Sequence, residues 1–153
     1  MELIRGIHNL RPRHRGCVAT IGNYDGVHLG HQAVLDSIIE VGTQLGLPSA
    51  VMAFEPTPQE FFAGQRAPAR LTRFREKYNA LAGTGVDRFL CLRFDRAFSE
   101  LSPDAFVERI LVQGLGVRHL VAGDDFRYGF KRSGDFTSLQ AAGRKHGFSV
   151  QDT

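Results

Sequence analysis

The chain has 153 residues, with 19 Lys and Arg against 16 Asp and Glu for a formal net charge of +3, and is 42% hydrophobic and 23% charged. That composition describes one globular domain able to bury a real core. It contains no apolar run long enough for a membrane span, and the start MELIRGIHNLRPRHRG lacks a signal peptide's hydrophobic region. Two isolated cysteines offer no disulfide framework, so a cytoplasmic setting is expected.

In chain order, Arg5, Arg11, Arg13 and Arg15 come first and form, with Arg66, Arg70, Arg73 and Arg75, the basic surplus. It suits anionic ligands. No stacking-plus-basic pattern accompanies it, so neither nucleic acid nor membrane is an expected partner. Cys17 to Ile21 reads as a short buried strand, and apolar residues at helical spacing predict a helix over His31 to Leu45. Between them lies GNYDGVHLGHQ, Gly22 to Gln32. Ser49 to Phe54 is the next strand, followed by a proline-stiffened connector, FEPTPQEFF. A helix over Thr72 to Ala82 and a strand over Arg88 to Phe94 follow. Ser102 before Pro103 is an N-cap with proline in the first turn, opening a helix to Leu115. Val117 to Ala122 is a strand and Thr137 to His146 a helix, and Phe148-Ser149-Val150 starts another strand. Gly46, Gly83, Gly116 and Gly147 stand where the helices should stop.

Strands alternating with helices imply parallel pairing, hence an α/β chain with a Rossmann-like doubly wound parallel sheet. Ligands of such sheets bind beyond the carboxyl ends of the strands, where the loops after Ile21, Phe54 and Ala122 converge.

The first loop has the composition of a phosphate site. A helix beginning near His28 aims free backbone N–H groups and the positive end of its dipole at the loop, and the glycines allow an anion to come close. His28 and His31, three apart, face the same anion as added donors. Metal ligation by the pair is the weaker reading, because zinc wants three or four ligands and the cysteines sit inside strands; no metal ligand is expected. The second loop supplies Pro56, Thr57, Pro58 and Phe62 as a stiff, partly apolar wall; its plain reading is a connector whose phenylalanines cap the core. The third, GDDFRYGFKRSGD, sets Phe126, Tyr128 and Phe130 at alternating positions, which also fits a hairpin with an apolar face. Arg127 and Arg132 are available there for ion pairs or for phosphate.

His28-Leu29-Gly30-His31 resembles the H-x-G-H signature of the nucleotidyltransferase superfamily. The longer GNYDGVHLGHQ is similar to its bacterial FAD synthetase branch, the adenylyltransferase module of bifunctional riboflavin kinase/FMN adenylyltransferases. FEPTPQEFF, RLTRFREK, LSPDAFVERIL and GDDFRYGFKRSGDF follow in the same family's order. The resemblance implies adenylyl transfer from ATP to FMN, giving FAD and pyrophosphate with Mg²⁺ on the ATP. His28 and His31 would be the catalytic residues, and ATP would meet Gly22, Asn23, Tyr24, Asp25, Gly26, His28, Gly30 and His31. The flavin would meet Pro56, Thr57, Pro58, Phe62, Asp125, Phe126, Arg127 and Tyr128. Thr57 stands where the family more often has His, keeping a hydroxyl and losing an ionisable ring. The family's second signature, of serines, threonine and arginine, and its riboflavin kinase domain have no counterpart up to Thr153. Residues 1–153 are therefore read as the adenylyltransferase domain, incomplete at its C-terminus, of a longer enzyme. Two other readings stand beside this one: a different H-x-G-H nucleotidyltransferase, and a non-catalytic nucleotide- or flavin-binding module.

Overall fold

The computed structural model describes residues 1–24, 29–64 and 67–153, with the backbone alone for 29–30 and 67–73. Asp25, Gly26 and His28 therefore lie outside the described residues, as does Arg66.

Six strands form one all-parallel sheet: β1 (Glu2–Arg5), β2 (Cys17–Ile21), β3 (Ser49–Phe54), β4 (Arg88–Leu92), β5 (Val117–Ala122) and β6 (Ser149–Asp152), ordered β1-β4-β3-β2-β5-β6. Every residue of β2 and of β3 is buried. That is the signature of central parallel strands, which are covered on both faces and so read as unbroken apolar runs. The edge strands β1 and β6 alone are largely accessible.

Side-chain alternation divides the core in two. Val18, Val51, Phe89 and Val121 pack with Leu35 and Ile38 of helix α1 (Leu29–Leu45) and Leu81 of α3 (Ala67–Ala82). Ala19, Met52, Leu90 and Leu120 pack on the other face. There they meet Phe106, Ile110 and Leu139, carried by α5 (Pro103–Phe106), its wider π-helical continuation Val107–Gly114, and α6 (Phe136–His146). Helices on both faces make the sheet doubly wound, as expected from the sequence.

Several boundaries differ from the sequence reading. The FEPTPQEFF connector contains helix α2 (Pro58–Ala63), and α3 begins five residues before the expected Thr72. The expected Arg88–Phe94 strand stops at Leu92, because Asp95 caps the short helix α4 (Arg96–Ser99), its carboxylate accepting from Phe98 N at 2.8 Å. Gly147 closes α6 in the left-handed conformation, φ +87. A Cβ on Gly143, one turn earlier, would lie 2.4 Å from the Phe148 carbonyl oxygen, so glycine lets β6 turn back this tightly.

An N-terminal clamp holds β1. Glu2 accepts from Arg13 Nη1 at 3.1 Å and from His14 Nε2, also at 3.1 Å. His14 is buried, and its Nδ1 accepts from Arg11 N at 2.8 Å, which leaves the proton on Nε2 for Glu2. Hydrogen bonds from Arg13 and then His14 lower the Glu2 carboxyl to about 2.

Candidate active site

Strand order reverses between β2 and β5, so their carboxyl ends open the crevice in which this architecture places a ligand. The first and third loops leave from those two ends. Gly22 and Asn23 follow β2, with Gly22 N donating to Met52 O at 3.1 Å, and Asn23 is exposed. Gly30 and His31 belong to the first turn of α1, where backbone N–H groups have no partner within the helix.

Tyr24 connects these parts. It is buried, 4% exposed, and has a left-handed backbone, φ +53. Its ring lies 4.7 Å from the His31 ring, tilted by 46°. Its hydroxyl is 2.9 Å from Thr20 Oγ1, which in turn donates to Val121 O at 2.8 Å. The Thr20 proton is thereby committed to β5, so Tyr24 is the donor to Thr20. Burial raises the Tyr24 phenol above its ordinary value, partly offset by the Thr20 bond.

In the second loop, Thr57 is buried and serves as the N-cap of α2: its hydroxyl accepts from Glu60 N at 3.2 Å, while Glu60 Oε1 accepts from Thr57 N at 3.1 Å. Pro58 occupies the first helical position and Phe62 is 69% exposed. Just before Pro56, Glu55 meets Lys77 of α3, Nζ to Oε2 2.9 Å, with the side chains only 7% and 2% exposed. Lys77 Nζ also lies 3.4 Å from Phe54 O, so one ammonium ties α3 to the carboxyl end of β3. Among the described residues, the buried side-chain oxygens Glu55 Oε1 and Gln32 Oε1 have no hydrogen-bond partner.

In the third loop, Phe126 and Tyr128 stack at 5.6 Å and 13°. The expected hairpin reduces to a single bridge, Tyr128 to Gly134, with a tight turn at Phe130–Arg132. Asp125 is exposed, and Arg127 donates to the Phe126 carbonyl at 3.1 Å. Tyr128 is anchored through its hydroxyl, 3.0 Å from Ser138 Oγ.

Sequence reasoning missed the groups that link these loops. Ring contacts run from Phe62 to Phe94 (5.7 Å), Phe98 (5.5 Å), Phe106 (6.2 Å), Tyr128 (5.3 Å) and Phe126 (5.6 Å). This aromatic line passes from the second loop to the third. Phe94 and Phe98, four apart around α4, were its legible signal. Glu55 and Lys77 stood inside motif segments without a role assigned to them. The open hollow of about 550 Å³ beside Gly42, Leu47, Pro48, Gly85 and Asp87 lies at the amino ends of β3 and β4, opposite to all of this chemistry.

The family model for FAD synthetase matches residues 10–153. A bifunctional riboflavin kinase/FMN adenylyltransferase from Pseudomonas fluorescens is 58% identical over 151 residues, covering 99% of this chain and 48% of that protein. The Escherichia coli K12 protein of the same name is 54% identical over 154 residues, covering 100% and 49%. Among solved structures, one described as a macrolide-efflux protein from Streptococcus pneumoniae superposes with a TM-score of 0.77 at 21% identity, over 100% of this chain and 50% of that one, a likeness of fold. The chain spans about half the length of the curated relatives it matches. It belongs to the FAD synthetase family.

Proposed function

We propose, from that family membership, that this chain carries adenylyl transfer from ATP to FMN, releasing FAD and pyrophosphate. The observation that supports it best is the placement of His31, on the first turn of α1, beside the crevice between β2 and β5, with the aromatic line beginning at the neighbouring loop. An FMN phosphate oxygen attacks the ATP α-phosphorus, a new P–O bond forms, and the bond to the bridging oxygen breaks to release pyrophosphate. A phosphate monoester with a second pKa near about 6 is largely ionised at neutral pH, so no strong base is required. The protein's task is alignment and neutralisation of the charge gathering on the bridging oxygen.

In this reading His31 and the first-turn N–H groups of α1 face the ATP phosphates together with His28, and Asp25 and Gly26 belong to the ATP site on the strength of the motif. Phe62 and Phe126 offer apolar surface to the isoalloxazine, with the buried Tyr128 stacked against Phe126 as its support, and Pro56 and Pro58 hold the wall near them. Thr57 supports that wall from within, through its cap on α2. Mg²⁺ enters on ATP as counter-charge to the phosphates and, preferring water and phosphate oxygens, asks for few protein ligands. The riboflavin kinase activity in the relatives' names is assigned to sequence outside the matched half, and the setting is the cytoplasm.

FAD formation from FMN, ATP and Mg²⁺, followed by chromatography, tests the proposal in the protein extended past Thr153 through the family's second signature, whereas residues 1–153 alone, with half of the phosphate clamp, should form FAD barely or not at all. His31→Ala and His28→Ala should each lower turnover by about 10²-fold or more while FMN binding holds. Wild-type turnover in both variants, or equal loss of flavin affinity and rate, would refute the roles given to the two histidines.

A further inference from the structure

Resting on that reading of His31, we propose that Tyr24 is a positioning residue, a buried aromatic platform that fixes the plane of the His31 imidazole against the sheet. Three observations point the same way. The tyrosine ring is in direct contact with the imidazole, centroid to centroid 4.7 Å. Its far end is bolted through Thr20 to the Val121 carbonyl, so the platform is referenced to both strands that form the crevice. Its backbone is left-handed, uncommon for a bulky residue and retained only where the surroundings over-determine it.

Gly22 belongs to the same device. A Cβ there would lie 3.0 Å from Tyr24 Cε2, so the glycine clears the space that the ring occupies. A ring contact is well suited to the purpose, because it engages the imidazole's carbon surface and consumes neither nitrogen. Small errors in the placement of such a donor are expensive, since misplacement by about 1 Å can cost about 10²-fold in rate.

Two variants separate ring from hydroxyl. Tyr24→Leu removes both, whereas Tyr24→Phe keeps the ring and loses only the bond to Thr20. In proton NMR of this chain, the His31 ring resonances, identified by their disappearance in His31→Ala, should lose an aromatic ring-current shift in Tyr24→Leu and keep it in Tyr24→Phe. In the FAD-forming assay, Tyr24→Leu should lower kcat by about tenfold or more with the FMN KM within about twofold, and Tyr24→Phe should restore most of the rate. In a His31→Ala background Tyr24→Leu should add no further loss, because a platform without its imidazole has nothing to hold. Unchanged His31 resonances in Tyr24→Leu, or a full multiplicative loss in the double variant, would overturn the proposal. Absence of FAD formation by the unsubstituted protein extended through the family's second signature would instead refute the adenylyl-transfer reading, and the NMR comparison would still decide the contact.

Discussion

Replacing Lys77 with Met keeps the apolar stem of the side chain and deletes only its ammonium. Glu55 then keeps a carboxylate whose side chain is 7% exposed, with Oε2 stripped of its 2.9 Å partner and Oε1 already without one. Breaking a buried pair in this way costs about 3–5 kcal/mol, against about 0–1 kcal/mol for an exposed pair. The loss is a large share of the roughly 5–15 kcal/mol that a domain has in total. In urea, with an m-value of about 2 kcal/mol/M, the unfolding midpoint should fall by about 1.5–2.5 M. The double variant Lys77→Met/Glu55→Leu leaves no buried charge at this position and should recover most of that loss, since apolar replacement of a whole buried pair is often neutral or better. A midpoint shift equivalent to less than about 1 kcal/mol in Lys77→Met, or a double variant no more stable than the single one, would refute the claim that the pair is effectively desolvated.

At the other end of the sheet, the Glu2 clamp predicts a pH dependence. The carboxyl sits at about 2 when folded against an ordinary 4.5, so its contribution is complete above about 4.5 and is lost as pH falls toward 2. Because Arg13 is 63% exposed, Glu2→Gln should cost at most about 1 kcal/mol at pH 7. The gap between it and wild type in urea melts should close across that acid window; a gap that persists at pH 2 would contradict the assignment. Burial pushes the Cys17 thiol up to about 12 and Cys91 up to about 11. At pH 8 a disulfide reagent should therefore label both only after unfolding, and prompt stoichiometric labelling of the native protein would show the thiols to be accessible. Thr57→Ala removes the N-cap of α2 and should cost about 1 kcal/mol in the same melts. No measurable loss would show that the cap is dispensable.

The central strands were legible because being buried on both faces leaves a plain trace, an unbroken apolar run in β2 and in β3. Edge strand β1 left no such trace: Glu-Leu-Ile-Arg is four residues long, and its partner Arg88 lies 86 positions further on. Proline was the recurrent source of displaced boundaries. Pro58 was placed in a connector, yet it stands in the first turn of α2, and Pro68 likewise stands in the first turn of α3, where a missing N–H costs nothing. At Thr57 the evidence was present in full. Thr-Pro-Gln-Glu is a capping box with proline at the first helical position. The loops of the site were legible from their composition and their place after strands. The Glu55–Lys77 pair and the Tyr24–His31 contact were not, since each depends on how a helix face meets a strand end, and residue spacing alone does not report that.

Where the buried polar groups fall is itself an argument about the site. Side chains of Thr20, Glu55, Thr57, Glu60 and Lys77 are withdrawn from solvent and belong to the carboxyl end of β2 or β3 or to the segments that pack there, while His14 and Ser49, also buried, tie down the opposite end of the sheet. Stability alone would favour apolar residues of similar volume, because desolvating a charge is seldom repaid. What these groups provide is direction: Thr20 fixes a phenol, Thr57 starts a helix, and Lys77 holds a carbonyl and a carboxylate at one strand end. At the carboxyl ends these departures from apolar packing hold a geometry that apolar contacts alone would leave loose. A fold that superposes on a chain only 21% identical carries no reaction by itself. On the proposed reading the chemistry depends on which strand ends are pinned, and the pinned carboxyl ends of β2 and β3 lie on the side from which the first and second loops leave.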